Sequence, residues 1–392
     1  MSFAINGKFT AQRITGVQRV AYELTRAMHA ADVPAHELEV VVPQNATDPG
    51  LSLKRKRLCA WLKGNLWEQI ALPMATSHQT LVSLCNSGPL LKRKQVVMIH
   101  DMAVYDVPQA FSKKFRFCYR MKYWILHRQA KVILTVSAFS KSRICHHLGI
   151  DETRVSVIHN GADHLDRVVS DPGILARLNL TKGSYCIIVG SLDPRKNLQR
   201  VLDAVEQLGD LSDTKFVIAG GANPRVFDSK HIAKKTESDR IVWAGFVSDG
   251  ELKALYGDAA CLVFPSLYEG FGLPPIEAMY CGCPVIVSNE PSLIEVCGDA
   301  ALYCDARSSD DIAAKISLMM SDNELQQRFR EKGLRHAQQY RWDRAASKLL
   351  QVLYGEAYAR TPRPAVRPSA GTSPALFAGA ASAGDTNLSK NH

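Results

Sequence analysis

The sequence predicts an α/β protein of two domains, each a parallel sheet covered by helices on both faces. Three observations carry this. Short apolar runs alternate with amphipathic stretches of helical length along almost the whole chain, the pattern of repeated strand–helix units. The alternation lapses at the polar stretch from Asn160-Gly161-Ala162-Asp163 to Pro172 and then resumes. The length, 392 residues, exceeds one hydrophobic core and suggests two domains of roughly 170–180 residues.

In order, residues 3–6 read as a first strand, followed by a loop with Gly7 and Gly16 and a helix over 17–29 whose Val20, Leu24 and Ala27 share a face. Residues 38–43 are the next strand, and 45–65, with the basic cluster Lys54-Arg55-Lys56-Arg57, read as loop. Strands follow at 79–84, at 95–99 running into His100-Asp101, and at 131–136, where Ser137 and Ser140 can cap a helix over 138–148. A strand at 154–158 closes the first domain, 1–165.

The second domain, 166–342, opens with a strand at 185–189, a helix over 198–208, a strand at 215–219, and a strand at 241–243 leading to Gly245-Phe246-Val247. After a helix over 251–256, the segment from Ala260 to Asn289 reads as strand, glycine loop, helix and strand. Gly270 and Gly272 flank Phe271, and Pro274 and Pro275 open a helix with Glu277 in its first turn. A short strand at 301–303 precedes helices over 309–320, 322–339 and 343–359. Residues 361–392 hold four prolines among Ala, Ser and Gly without periodicity and read as a disordered tail.

Composition narrows the classes. Apolar content of 46% and charged content of 22% are those of a globular protein. No run approaches the roughly 18 apolar residues of a membrane span, and the N-terminus lacks a signal core, so a cytoplasmic location is expected. The ten cysteines are scattered, several inside apolar strands, which reads as buried thiols in a reducing compartment; Cys281-Gly282-Cys283 has the wrong spacing for zinc. The net charge of +10 suits nucleic acid, an anionic membrane or phosphorylated substrates equally.

Several predicted strand ends in the second domain carry polar or glycine residues: 190–197, 220–223 and 268–277. In an open parallel sheet such ends converge on one rim, where ligands bind. Glu277 near free helix amides stays ionised and can accept both hydroxyls of a ribose; alone, it is also a plain solvated helix-start residue. Asp193-Pro194-Arg195-Lys196-Asn197 follows a strand and opens a helix, an anion site suited to a diphosphate. Gly16 can offer its amide to the same phosphates, although no GxGxxG is present. Residues 111–128 mix seven basic residues with six aromatics. They read either as a surface resting on anionic lipid or as a core helix with snorkelling basic side chains. No nucleic-acid-binding signature accompanies them, so no nucleic-acid partner is expected.

Taken together, Glu269 to Glu277 within EGFGLPPIEAM, Asp193-x-Arg195-Lys196-Asn197, Gly245-Phe246-Val247, Ile158-His159-Asn160-Gly161-Ala162, His100-Asp101 and Thr135-Val136-Ser137-x-x-Ser140 resemble the retaining GT-B glycosyltransferases of family four over roughly residues 1–358. The N-terminal loop is the weaker match: many relatives have a paired glycine where this chain has Arg13-Ile14-Thr15-Gly16. The resemblance implies two facing Rossmann-like domains with a cleft between them, the first binding acceptor, the second holding a nucleotide-sugar donor, and a final helix over 343–360 crossing back to the first.

By the same resemblance, Glu277 holds the ribose, Arg195 and Lys196 neutralise the diphosphate, and Glu269 contacts the donor sugar beside Phe271, Gly272 and Leu273. Phe246 and Val247 lie near the base, and His100 touches the sugar near its anomeric carbon. His100, Lys196 and Glu269 are the catalytic candidates, and a metal-independent reaction with no cofactor is expected. The implied activity is transfer of a sugar, mannose from GDP-mannose first and a UDP-sugar second, to a polyprenyl-diphosphate-linked saccharide in surface-polysaccharide synthesis. The protein would then sit peripherally on the inner face of the plasma membrane.

Overall fold

The computed structural model describes residues 2–31, 37–46, 55–58, 61–190, 193–211, 213–220 and 239–355. Within them lie two sheets whose ladders are all parallel. The first has seven strands: β1 (Phe3–Asn6), β2 (Leu38–Pro43), β3 (Arg55–Leu58), β4 (Thr80–Ser83), β5 (Gln95–Met98), β6 (Val132–Thr135) and β7 (Val155–Val157), ordered β3-β2-β1-β4-β5-β6-β7. The second has six: β8 (Tyr185–Val189), β9 (Lys215–Ala219), β10 (Ile241–Gly245), β11 (Cys261–Phe264), β12 (Val285–Ser288) and β13 (Leu302–Cys304), ordered β10-β9-β8-β11-β12-β13. Every residue of β5, β11 and β12 is buried, as helices on both sheet faces require.

Three expectations need correction or fall outside this description. Residues 45–65, read as loop, contain the edge strand β3, paired with β2; its Arg-Lys-Arg run shows no apolar alternation, and charges are tolerated at a sheet edge. The helix after the glycine loop runs Leu273–Tyr280 with Gly272 as its N-cap, so Glu277 stands in the second turn rather than the first. Pro274 and Pro275 occupy the opening turn and carry no N–H, so Glu277 does not sit among free amides. The tail 361–392 and residues 221–223 lie outside the described residues.

The domains meet through polar contacts at the strand ends of both sheets. Ser137 Oγ donates to the Gly270 carbonyl at 2.6 Å, and Ser140 Oγ lies 3.0 Å from the His100 carbonyl and 3.1 Å from that of Gly270. Tyr268 donates to Asp106 at 2.9 Å. Glu295, on the Pro291–Cys297 helix, accepts from the Ala138 and Phe139 amides at 2.7 and 2.9 Å, capping the Ala138–Leu148 helix from the other domain. The final helix, Trp342–Tyr354, packs on the Gly16–Ala30 helix of the first domain. Tyr354 stands edge-on to Phe3 with ring centroids 4.8 Å apart.

Candidate active site

In the second sheet the order of winding reverses between β8 and β11, which opens a crevice at their C-terminal ends. Lys196 leaves β8 and Glu269 leaves β11, and they meet there with Nζ 2.6 Å from Oε1. Asn197 makes the turn possible. It holds φ +61°, a left-handed conformation that asparagine tolerates, and its amide donates to the Pro265 and Ala306 carbonyls at 3.0 and 2.7 Å. Arg195 is engaged differently. Its guanidinium is forked onto Asp193 at 2.5–3.1 Å and lies 3.9 Å from Asp101 of the first domain. Burial opposes its charge, but Asp193, Asp101 and Glu269 outweigh burial and raise its pKa.

The loop carrying Glu269 is shaped by two glycines with separate reasons. A Cβ on Gly270 would lie 2.4 Å from the His100 carbonyl oxygen. Gly272 has φ +88°, and a Cβ there would meet Leu293 at 2.4 Å. Phe271 between them is buried edge-on against Tyr340, 5.6 Å away.

His100 thus stands against this loop from the opposite domain. Its Nε2 is 2.8 Å from the Leu84 carbonyl, which only accepts, so Nε2 carries the proton and Nδ1 is left as an acceptor. Burial lowers the His100 pKa from 6.5, opposed by the Leu84 hydrogen bond and Asp101. With a depressed native pKa, its contribution to stability is complete above the unfolded value of 6.5 and is lost as pH falls toward the native one. His100→Asn is therefore expected to flatten the acid-side fall in stability below that pH in urea titrations.

Glu277 is buried, with His164 Nε2 3.3 Å and the Tyr256 hydroxyl 3.5 Å from its two oxygens. The Trp342 indole N–H donates to His164 Nδ1 at 3.2 Å. Because indole only donates, Nδ1 must accept, and the other ring nitrogen presents its proton to Glu277. Nothing in the sequence reading singled out His164 or Trp342 as the support of Glu277. His164→Phe is expected to cost about 1–3 kcal/mol in chemical denaturation, because it strands a buried carboxylate.

The remaining candidates lie around this cluster. Leu273 is the first residue of the helix after the loop. Gly16 is exposed at the start of its helix, where an added Cβ would meet nothing within 4 Å, so no steric need for glycine exists there. Phe246 and Val247 follow the edge strand β10. Phe246 is 66% exposed, and the Arg13 guanidinium lies 4.6 Å from its ring centre; Arg13, on the other domain, was another residue the motifs did not indicate. Among the described residues no cluster of His, Cys, Asp or Glu could hold a metal ion, and no helix is long and apolar enough to cross a membrane.

Two doubly wound domains that face each other across their strand ends have the GT-B fold. The family model Glycosyltransferase Family 4 matches residues 14–164, and Glycosyl transferases group 1 matches 175–336. The chain is 32% identical over 268 residues to the O-antigen chain mannosyltransferase B of Escherichia coli, covering 66% of this chain and 70% of that one. It is 29% identical over 264 residues to the O-antigen chain mannosyltransferase RfbU of Salmonella typhimurium, covering 67% and 71%. Among solved structures, HepE of Anabaena in complex with UDP and glucose superposes with a TM-score of 0.69 at 16% identity, over 90% of this chain and 98% of that one. The chain belongs to glycosyltransferase family four.

Proposed function

We propose that this glycosyltransferase moves mannose from GDP-mannose, with retention, to a polyprenyl-diphosphate-linked saccharide in surface-polysaccharide synthesis. The observation that carries the site assignment is the Lys196–Glu269 pair, 2.6 Å apart, opposite His100 at the join of the domains. The donor choice rests on the two mannosyltransferase relatives.

Each group has a role suited to its setting. Glu277, oriented by His164, accepts from the ribose hydroxyls. On donor binding, Lys196 turns from Glu269 to the diphosphate, and Glu269 is freed to accept from hydroxyls of the sugar. Arg195 stays on Asp193 and adds a fixed dipole, while Phe246 and Val247 lie toward the base. The Phe271, Gly272 and Leu273 backbone borders the sugar, and the Gly16 amide faces the phosphates. As the anomeric C–O bond breaks, negative charge grows on the leaving phosphate, where Lys196 stabilises it without a metal. The acceptor oxygen bonds the anomeric carbon on the same face, and its proton passes to a leaving phosphate oxygen. His100, neutral and with Nδ1 free to accept, orients a sugar hydroxyl and remains unprotonated. The two glutamates bind donor and move no proton, unlike a glycosidase pair.

A panel of labelled GDP- and UDP-sugars, read by thermal shift and slow hydrolysis, tests this. GDP-mannose should give the largest response. A response to UDP-sugars alone would transfer the reading to a UDP-dependent enzyme, and no response to any donor would leave a non-catalytic binding protein.

We also infer a membrane contact. The Lys113–Gln129 helix buries Tyr123, Leu126 and His127 inward. It leaves Phe117 67% and Trp124 54% exposed, together with Lys113, Arg116 and Arg120 around a shallow surface pocket. This face suits the anionic inner leaflet. Changing Lys113, Lys114 and Arg116 together to Gln should weaken partition onto phosphatidylglycerol vesicles by about 100-fold, at about 1 kcal/mol per charge. Unchanged co-sedimentation would remove the membrane from the account.

A further inference from the structure

The domains also touch at the edge of the second sheet. Gly245, the last residue of the edge strand β10, has φ +66°, and Phe246 follows it with 66% of its surface exposed. An open aromatic face at the C-terminal end of a strand, on the rim where ligands bind, is a stacking surface for a planar group. From the first domain the Arg13 guanidinium lies over this ring, 4.6 Å from its centre. Arg13 is exposed, and among the described residues it has neither an ion pair nor a side-chain hydrogen bond.

Both segments are held by other contacts. Arg19 pairs with Asp249 at 2.5 Å and already ties them across the domains. Gln18 donates to Gln12 at 3.1 Å across the loop that carries Arg13. Ser248 and Glu251 form a reciprocal capping box at the start of the Asp249–Asp258 helix, which fixes the chain just after Phe246. Arg13 is therefore left with a charge and a set of N–H donors that no carboxylate takes up.

The shape of a guanidinium limits what it can read. Its fork offers two parallel N–H groups in one plane and matches two neighbouring acceptors. Guanine presents such a pair, O6 and N7, on one edge, whereas adenine has an amino group beside N7. Uracil has an N–H beside its O4. A guanine stacked on the open part of the Phe246 face would come edge to edge with the guanidinium.

We propose that Arg13 selects the base: it reads the O6 and N7 edge of a guanine stacked on Phe246 and so favours a guanosine diphosphate donor. That a nucleotide lies here rests on the transferase reading; the preference for guanine comes from the fork. The competing account is that Arg13 only packs on Phe246 and helps hold the domains together.

Calorimetric titration of GDP, 7-deaza-GDP and UDP into the full chain separates the two. 7-deaza-GDP keeps O6 but has a C–H in place of N7, so one of the two acceptors is lost. Wild type should bind GDP about 10-fold more tightly than 7-deaza-GDP, the worth of one hydrogen bond to a charged group. Arg13→Met should weaken GDP by about 10- to 100-fold, the worth of a bidentate base contact, and erase the difference between GDP and 7-deaza-GDP. It should leave UDP unchanged, which also shows that the variant is folded. Phe246→Ala should weaken all three nucleotides by about 10-fold, since every base has a face to stack.

Equal losses of GDP and UDP in Arg13→Met, or equal affinity of wild type for GDP and 7-deaza-GDP, would overturn the proposal. A wild type that still prefers GDP to UDP would then keep the donor reading intact. A wild type that prefers UDP, or that binds no nucleotide, would overturn the donor reading itself and this assignment with it.

Discussion

Lys196→Ala is expected to lower kcat by about 10²- to 10³-fold, the usual cost of deleting one donor aimed at developing charge, while the protein stays folded. The reason lies in how the two neighbouring cations are tied. Arg195 is forked onto Asp193 in its own loop and lies 3.9 Å from Asp101 of the first domain, so its charge is already largely engaged. Among the described residues Lys196 makes one ion pair, to Glu269, with both side chains partly exposed. One contact can be exchanged for another when a diphosphate arrives. Such a partly exposed pair contributes at most about 1 kcal/mol, so thermal stability should change little. If the cation acts, as proposed, on charge that grows in the transition state, kcat should fall more than nucleotide affinity. Lys196→Arg should recover part of the loss. Transfer at the normal rate by Lys196→Ala would remove Lys196 from the reaction.

The legibility of this site in the sequence follows from how local each part is. Strands β8, β11 and β12 are apolar runs bounded by Gly or Pro, so their burial was readable from composition and length. The glycine loop was readable because Gly270 and Gly272 serve contacts that no other residue permits. Glu277 reads as a first-turn residue because Pro274 and Pro275 read as the first helical positions, whereas the helix starts at Leu273. Its supports, His164 and Trp342, are 178 positions apart, and no local pattern links them. Glu295 escaped notice for the same reason: a surface carboxylate in sequence becomes a cap only when another domain presents a helix end to it. Arg13 and Phe246 come from different domains. Only the docking of the two domains brings them together.

The second large effect concerns the seam that brings His100 to this site. Gly270→Ala would place a methyl group 2.4 Å from the His100 carbonyl oxygen and 3.2 Å from its carbonyl carbon. Both are backbone atoms, so no side chain can turn aside. Nor can the loop rotate freely, since the Gly270 carbonyl accepts from Ser137 and Ser140. The relief available is a separation of the two domains by about 1 Å, a displacement that can cost about 100-fold in rate. Overpacking of this kind should also cost about 1–3 kcal/mol of stability. The loss should fall on kcat, because Lys196 and Glu277 both lie on the second domain and keep their mutual geometry, so nucleotide affinity should stay within a few-fold of wild type. Gly272→Ala provides the contrast. Its clash is with the Leu293 side chain, which Leu293→Ala would relieve, leaving only the strain of a positive φ. The same second change should do nothing for Gly270→Ala. If Gly270→Ala instead lost nucleotide affinity and kcat in equal measure, the Glu269 loop alone would be disturbed, and His100 would have no part in the reaction.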